Sequence, residues 1–240
     1  MQVHLNEIDS LAFGGAVLGI SEFDAQADFA AFEGEYRAQH SPRYVSAKVP
    51  VGDLTAIHAL EAAGFRLVEI QLTGDIPVQQ RNTEGQPYRF EKVTSEAVLA
   101  EVLEIAGTSF DLDRYSKDPG IGAVLGGRRY QEYVKKSFLA ADEEVCRMVD
   151  PADGRTLTFK THKFAAPDHA IGLLSAVRVD HKGSGIGLIA DSFYFNYLGS
   201  LGVKRVTTSF SAEHRVIVQH LIGNMRLKVR STHAILRKLY

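Results

Sequence analysis

The chain reads as a mixed α/β (α+β) protein with two units in series, and three observations carry that reading. An apolar stretch from Ile171 to Val179 runs into Lys182-Gly183-Ser184-Gly185-Ile186-Gly187 and then into a helical pattern from Ile186 to Leu201, giving the order strand, glycine loop, helix. The elements around it come as strand, two helices, three antiparallel strands, loop, helix, strand, helix and strand, which is not the order of a doubly wound sheet. A polar segment bracketed by prolines, Asp75 to Pro87, separates this part from an earlier one and reads as a linker. The expected units are 1–80 and 88–240.

In the first unit a helical pattern covers Asp24 to Gln39, and an alternating strand follows at Arg43 to Val49. Asp53 is an N-cap for a helix to Ala63, stopped by Gly64, and Phe65 to Leu72 is a strand. The second unit opens with a strand at Tyr88 to Val93. Thr94 or Ser95 caps a helix whose buried stripe is Val98, Leu99, Val102, Leu103 and Ile105. A loop from Asp111 to Gly120 leads to a second helix through Tyr130, Tyr133, Val134 and Phe138. Strands at Glu143 to Val149 and Arg155 to His162 flank the turn Asp150-Pro151-Ala152-Asp153-Gly154, and a third runs from His169 to Asp180. After the glycine-loop helix, ended by Gly202, come a strand at Lys204 to Phe210, a helix from about Glu213 to Ile222 and a strand pair from Arg226 to Leu239. The segment Ser46 to Val68 echoes the pattern of Ser209 to Val229 without a glycine loop before it, either as a duplicated half-domain or as chance similarity of two amphipathic pairs.

Composition bounds the function. With 240 residues, 45% of them apolar and 23% charged, the chain can bury a proper core. The stretch Leu11 to Ile20 is glycine-broken and too short to cross a bilayer, and Met1 to Glu7 has no basic segment, so a cytoplasmic protein without membrane partners is expected. Cys146 is the only cysteine, which excludes an internal disulfide and cysteine-rich zinc sites; its acidic neighbours Glu143 and Glu144 read as raising the thiol pKa, and the residue as core. No metal is expected. The net charge of −2 hides an asymmetry, since 1–40 is acidic and 203–240 is basic. The basic residues lack aromatic interleaving, so nucleic acid is not expected as a partner. A phosphorylated small molecule or a plain solvated face accounts for them.

The glycine loop carries the chemistry. Backbone N–H groups freed by glycines, with the unpaired first turn of the next helix, form an anion site suited to phosphate. It is not a dinucleotide fingerprint, because counting from Gly183 the sixth position is Leu188, nor a Walker loop, because no Gly-Lys-Ser/Thr follows.

Val177-Arg178-Val179-Asp180-His181-Lys182-Gly183-Ser184-Gly185-Ile186-Gly187-Leu188 resembles the pyrophosphate-binding signature, Gln/Arg-x-x-Gly-x-Gly/Ala, of the GNAT acyltransferase superfamily. Lys182 takes the basic position, and Gly185 and Gly187 the two small ones. The resemblance implies a GNAT fold with a mixed, splayed central sheet in 88–240, preceded by a smaller partial GNAT-like unit. Asp9 to Gly14, Leu60 to Glu69, Ser109-Phe110 with Arg114-Tyr115, and Ile171 to Leu174 are similar, in the same order, to segments of bacterial dTDP-fucosamine acetyltransferases. That subgroup implies an acetyl group moved from acetyl-CoA to the amine of a nucleotide-linked amino sugar, by direct attack in a ternary complex. A GNAT enzyme for another amine, peptide or polyamine, or a non-catalytic acyl-CoA-binding module, is the alternative. A homodimer is expected by family analogy.

On that resemblance, Lys182 to Gly187 would hold the diphosphate, and the edge at Val177, Arg178 and Val179 would pair with the pantetheine arm. His214 occupies the family's asparagine position. The family's tyrosine acid would fall on Leu221, so no tyrosine is there; His220 is adjacent but about 100° around the helix. His214 and His220 are therefore the candidates for catalysis, each with a structural or cofactor-contacting role as the alternative. Arg114 and Tyr115 lie where the superfamily lines its acceptor pocket, suiting an anionic acceptor and stacking on a sugar or base, or else surface packing. His181 reads as phosphate contact or simple exposure, Asp180 as a solvated strand end, and Tyr194 and Tyr197 as core.

Overall fold

The computed structural model describes residues 1–111 and 113–240, so Leu112, in the loop read at 111–120, lies outside the described residues. The first part runs β1 (Gln2–Leu5), α1 (Glu7–Phe13), β2 (Val17–Ser21), α2 (Phe29–His40), β3 (Tyr44–Pro50), α3 (Leu54–Ala62) and β4 (Arg66–Pro77). The second runs β5 (Arg89–Lys92), α4 (Glu96–Thr108), α5 (Arg114–Lys117), α6 (Ala123–Leu139), β6 (Glu143–Val149), β7 (Thr156–Ala166), β8 (His169–Val177), α7 (Ile186–Ser200), β9 (Arg205–Ser211), α8 (Arg215–Gln219) and β10 (Lys228–Leu239).

Local chemistry explains the boundaries. Asp53 accepts the Ala56 N–H and starts α3, and Ser95 accepts the Val98 N–H and starts α4. Several elements differ from the sequence reading, and α5 lies within the stretch read as a loop. Residues 2–21 form β1, α1 and β2, where only a glycine-broken apolar patch was legible; Gly14 at φ 65° caps α1 and turns the chain into β2. β4 continues to Pro77, so the irregular segment starts later, and it is pinned to α7 by Asn196, which bonds the Arg81 backbone at both ends. β8 stops at Val177 and a 3₁₀ turn takes Val179–His181. α8 is short and passes into a π turn at His220–Asn224. The last segment is one strand rather than a pair: 228–239 contains no glycine, proline, asparagine or aspartate to make a turn, and the irregularity near Arg230 is a bulge between Val229 and Ser231.

The described strands form one ten-stranded sheet in the order β1-β2-β3-β10-β4-β9-β8-β7-β6-β5. Two neighbouring pairs are parallel, β2 with β3 and β8 with β9. Each second strand of a pair is followed by a helix and one more strand: β3, α3, β4 and β9, α8, β10. These last strands are exchanged, because β4 pairs with β9 and β10 pairs with β3, both antiparallel, while β4 and β10 pair with each other. The echo seen in the sequence is thus a repeat of topology, and neither half completes its sheet without a strand from the other.

Helices cover both faces. Ile70 and Ile76 lie on one face of β4, six residues apart; Ile70 packs with the Leu18, Tyr36, Leu60 and Phe65 cluster under α2 and α3, and Ile76 with Tyr194, Phe195 and Leu198 of α7. The opposite face carries α4 and α6 over Val145 and Phe159, and α1 and α5 over Val17 and Tyr44. Polar anchors tie the halves together there. Arg129 of α6 places Nε 2.7 Å from buried Asp9 of α1, and its guanidinium lies 4.2 Å from the Tyr115 ring centroid. Arg237 of β10 grips Asp118 with two bonds of 2.5 and 2.7 Å.

Candidate active site

The parallel strands β8 and β9 stay paired only from His169↔Arg205 to Gly172↔Thr208. Beyond that point β8 remains with β7 as far as Val177, and β9 remains with β4 as far as Ser211, so the two diverge. Thr208 Oγ1 donates to the Gly172 carbonyl at 3.2 Å and closes the vertex. The result is a wedge whose β8 side, Leu173 to Val177, is a strand edge not paired with β9.

The wedge runs out onto the glycine loop. Gly183 and Gly185 have φ of 80° and 82°, a backbone region that costs an L-residue strain, and a Cβ at either would meet nothing within 4 Å. α7 has no side-chain cap, and Ser184 Oγ takes only the Ile186 N–H, at 3.3 Å. The Leu188 and Ile189 N–H groups turn back to the Gly185 carbonyl, so in the first turn of α7 it is the Gly187 N–H that is left for an outside acceptor. Gly187 also serves close packing, since a Cβ there would come within 3.0 Å of Val177 Cγ2. These features fit an anionic diphosphate.

The other loop residues are placed as follows. Lys182 pairs with Asp111 at 2.9 Å, both at the surface. Arg178 turns away, with Nε donating to the Thr156 carbonyl at 2.7 Å and Nη1 3.6 Å from Glu104, so only its backbone belongs to the loop. The His181 carbonyl accepts Ser184 Oγ at 2.6 Å, and Asp180 pairs with Arg155. Val179 is half exposed in the 3₁₀ turn. His214, at the N-terminus of α8, is partly exposed; its neighbour Glu213 pairs with Lys117 of α5. Asp111 and Lys117 thus meet the wedge on its two sides, at Lys182 and at Glu213.

His220 faces inward. Its Nε2 is 2.8 Å from Asp191 Oδ2, and Asn224 lies 3.3 Å from its Nδ1. Asp191 Oδ1 in turn meets Lys160 Nζ at 2.5 Å, and that ammonium donates to Ser175 Oγ at 2.8 Å. A chain whose middle members, Lys160, Asp191 and His220, are buried therefore joins β8, β7, α7 and the π turn. Burial works against the Asp191 charge, but Lys160 and His220 outweigh it and hold its carboxyl below the ordinary value. Leu221, the position read for a tyrosine, packs against the apolar cluster of Met225 and Leu227. Lys160, Asp191 and Asn224 were not read as site residues. Tyr194 is core as read, whereas Tyr197 is partly exposed and donates its hydroxyl to Glu144 at 2.7 Å. Burial pushes the Cys146 thiol up to about 12.

On the opposite face, every second residue of β4 from Glu69 is polar: Glu69, Gln71, Thr73 and Asp75. Thr73 bonds Ser209 at 2.7 Å, Lys48 bonds Gln71 at 2.8 Å, and His233 stands across from Gln71. Arg114 reaches this wall through Glu69 at 2.6 Å and donates to the Tyr115 hydroxyl at 3.0 Å. Tyr115 is buried and gives its own proton to Asp9 at 3.2 Å. Burial, with the Arg114 charge, lowers the Lys48 pKa, and burial with Lys48 lowers that of His233. Sequence reading missed this wall, although the period-two polarity of β4 is its signal.

No family model matches this sequence, and no curated protein matches it. Among solved structures, a GCN5-related N-acetyltransferase from Sphaerobacter thermophilus superposes with a TM-score of 0.67 at 14% identity, over 99% of this chain and 76% of that one. A GCN5-related N-acetyltransferase from Kribbella flavida gives 0.60 at 13% identity, over 93% and 81%. A tandem GNAT protein from the clavulanic acid biosynthesis pathway gives 0.60 at 12% identity, over 94% and 76%. Among the described residues no helix is long and apolar enough to cross a membrane. The wedge, the glycine loop and these superpositions together give the chain the fold of the GCN5-related N-acetyltransferases.

Proposed function

We propose that the chain is an acetyl-CoA-dependent N-acetyltransferase whose acceptor is a nucleotide-linked amino sugar, related to the dTDP-fucosamine acetyltransferases whose segments it resembles, and that it works in the cytoplasm. The observation that carries this is the wedge between β8 and β9 ending on an uncapped helix with two positive-φ glycines. Gly183 to Gly187 would hold the cofactor diphosphate with backbone N–H groups, and Lys182 would add charge once released from Asp111. The free edge from Leu173 to Val177 suits the amide-rich pantetheine arm, a stretch that starts earlier on β8 than the Val177 to Val179 edge read from sequence.

The acceptor would lie on the polar wall. Four cations, Lys48, Arg114, Arg205 and Arg230, stand around its two carboxylates, Glu69 and Asp75, which favours an acceptor carrying negative charge over a polyamine. Arg114 is the wall's bridge to α5, and Tyr115 supports it from beneath. Direct attack needs a neutral amine, so the wall or a water must take its proton. N–H groups on the splayed edge of β8 can stabilise the oxyanion. His214, partly exposed at the head of α8, is the freer candidate for donating to the departing thiolate; His220, bonded at both ring nitrogens, would position α8 against α7. The inward His220 and the apolar Leu221 also favour the second reading, an acyl-CoA-binding module without turnover.

Calorimetric titration with acetyl-CoA, followed by a thiol-release assay with dTDP-linked amino sugars, tests the proposal. Binding with turnover supports it. Binding without turnover on amino sugars, peptide amines or polyamines supports the module, and no binding refutes both.

A further inference from the structure

We propose that Glu144, Cys146 and His162 form a site for one borderline-soft divalent metal ion of the zinc class, beneath α7 and apart from the wedge. Glu144 and Cys146 are two apart on β6 and so share a face, and His162 of β7 stands directly across from Glu144. One donor atom from each lies within 4.8 Å of the other two. Glu144 Oε2 and His162 Nε2 are 3.5 Å apart; a tetrahedral ion with bonds of about 2.0–2.1 Å to nitrogen and oxygen needs an edge of about 3.4 Å.

His162 supplies the independent observation. It is fully buried; Nδ1 has no hydrogen-bond partner, and Nε2 makes no well-formed hydrogen bond, meeting only Glu144 Oε2 at 3.5 Å. Buried polar groups are rarely left so, and a bond from Nε2 to a metal would satisfy one of the two. The carboxylate is already oriented for ligation. Lys92 holds Oε1 at 2.7 Å, while Oε2 faces His162 and accepts the Tyr197 hydroxyl at 2.7 Å. Outer partners of this kind steer a ligating carboxylate, and the Tyr197 oxygen is at hand for a fourth position.

The donor set selects the metal. A thiolate and an imidazole beside one carboxylate suit zinc, with cobalt as its spectroscopic substitute, and not magnesium or calcium. On binding, a sulfur–metal bond forms and the Cys146 proton leaves to solvent. The dication with one thiolate, one carboxylate and a neutral imidazole has no net charge, which suits a buried place. The site adjoins the Lys160–Asp191–His220 chain, because the Tyr194 ring lies 5.6 Å from that of His162 and 5.3 Å from Lys160 Nζ. Its role would be to pin α7 to the sheet, with the metal taken up as the chain folds.

The test is refolding of the denatured protein with Co²⁺, folding being followed by circular dichroism. We expect one cobalt per chain, tetrahedral d–d bands and a thiolate-to-cobalt charge-transfer band that Zn²⁺ bleaches. Cys146 is the only cysteine, so that band reports on this site alone. Cys146→Ser should abolish it, and His162→Gln should weaken cobalt binding at least tenfold. Wild-type protein that regains its native dichroism with cobalt present but shows no thiolate band overturns the proposal, and so does unchanged affinity in folded His162→Gln.

Discussion

Gly185→Ala separates backbone strain from phosphate binding. Gly185 sits at φ 82° with open space where a Cβ would go, so the methyl clashes with nothing in the protein. The folded state is strained only through its backbone, by about 1–2 kcal/mol for an L-residue in the left-handed region. For a chain of this size that lowers Tm by roughly 2–8 °C. Gly202, beyond the far end of α7, is a matched control: its φ is 85° and its Cβ would also meet nothing within 4 Å. Gly202→Ala should therefore lose the same stability. Strain common to free and bound protein cancels in the affinity, so only Gly185→Ala should affect acetyl-CoA, by crowding the N–H groups around the loop. Losing one charge-assisted hydrogen bond there, about 1.5–3 kcal/mol, weakens binding roughly 10- to 150-fold. Paired thermal melts and calorimetric titrations of the two variants read both effects. Equal affinity loss in both, or none in Gly185→Ala, would refute the reasoning.

Three further perturbations follow from the same structure. Asp111→Asn frees Lys182 from an exposed pair worth about 0.2–1 kcal/mol, so acetyl-CoA should bind up to about fivefold more tightly at low salt, with the gain fading at high salt in titrations. Arg129→Met leaves Asp9 buried without its cation and should cost about 3–5 kcal/mol in urea denaturation, much of it recovered in Asp9→Asn/Arg129→Met. Burial works against the Asp118 charge, but Arg237 and the Gly120 N–H outweigh it and hold the carboxyl below its ordinary value. That stabilisation is complete above about pH 4 and lost as pH falls through the depressed value, so Asp118→Asn should flatten the acid limb of urea midpoints measured from pH 6 to pH 2.

What was legible in the sequence is what depends on near neighbours. The glycine loop, the caps at Asp53 and Ser95 and the hairpin at 150–154 are local, and each stands where its residues put it. The strand exchange was not legible, because β10 finds its place between β3 and β4 through pairing across most of the chain. β1, α1 and β2 were missed for a related reason: their weak local pattern is stabilised by Arg129 and Tyr115, more than a hundred residues away. The inward turn of His220 depends on Asp191 and on the π turn, and the polar wall needs β3, β4, β9 and β10 side by side. Single-residue meaning at the loop was readable; meaning that arises between strands was not.

The wedge is the centre of the functional account, and amide hydrogen exchange with and without acetyl-CoA tests it most directly. The account predicts slowed exchange confined to two stretches, the β8 edge from Leu173 to Val177 and the loop from Gly183 to Gly187, with β2 and β3 unchanged. Protection absent from both stretches under saturating acetyl-CoA, or appearing instead along β2 and β3, would contradict it.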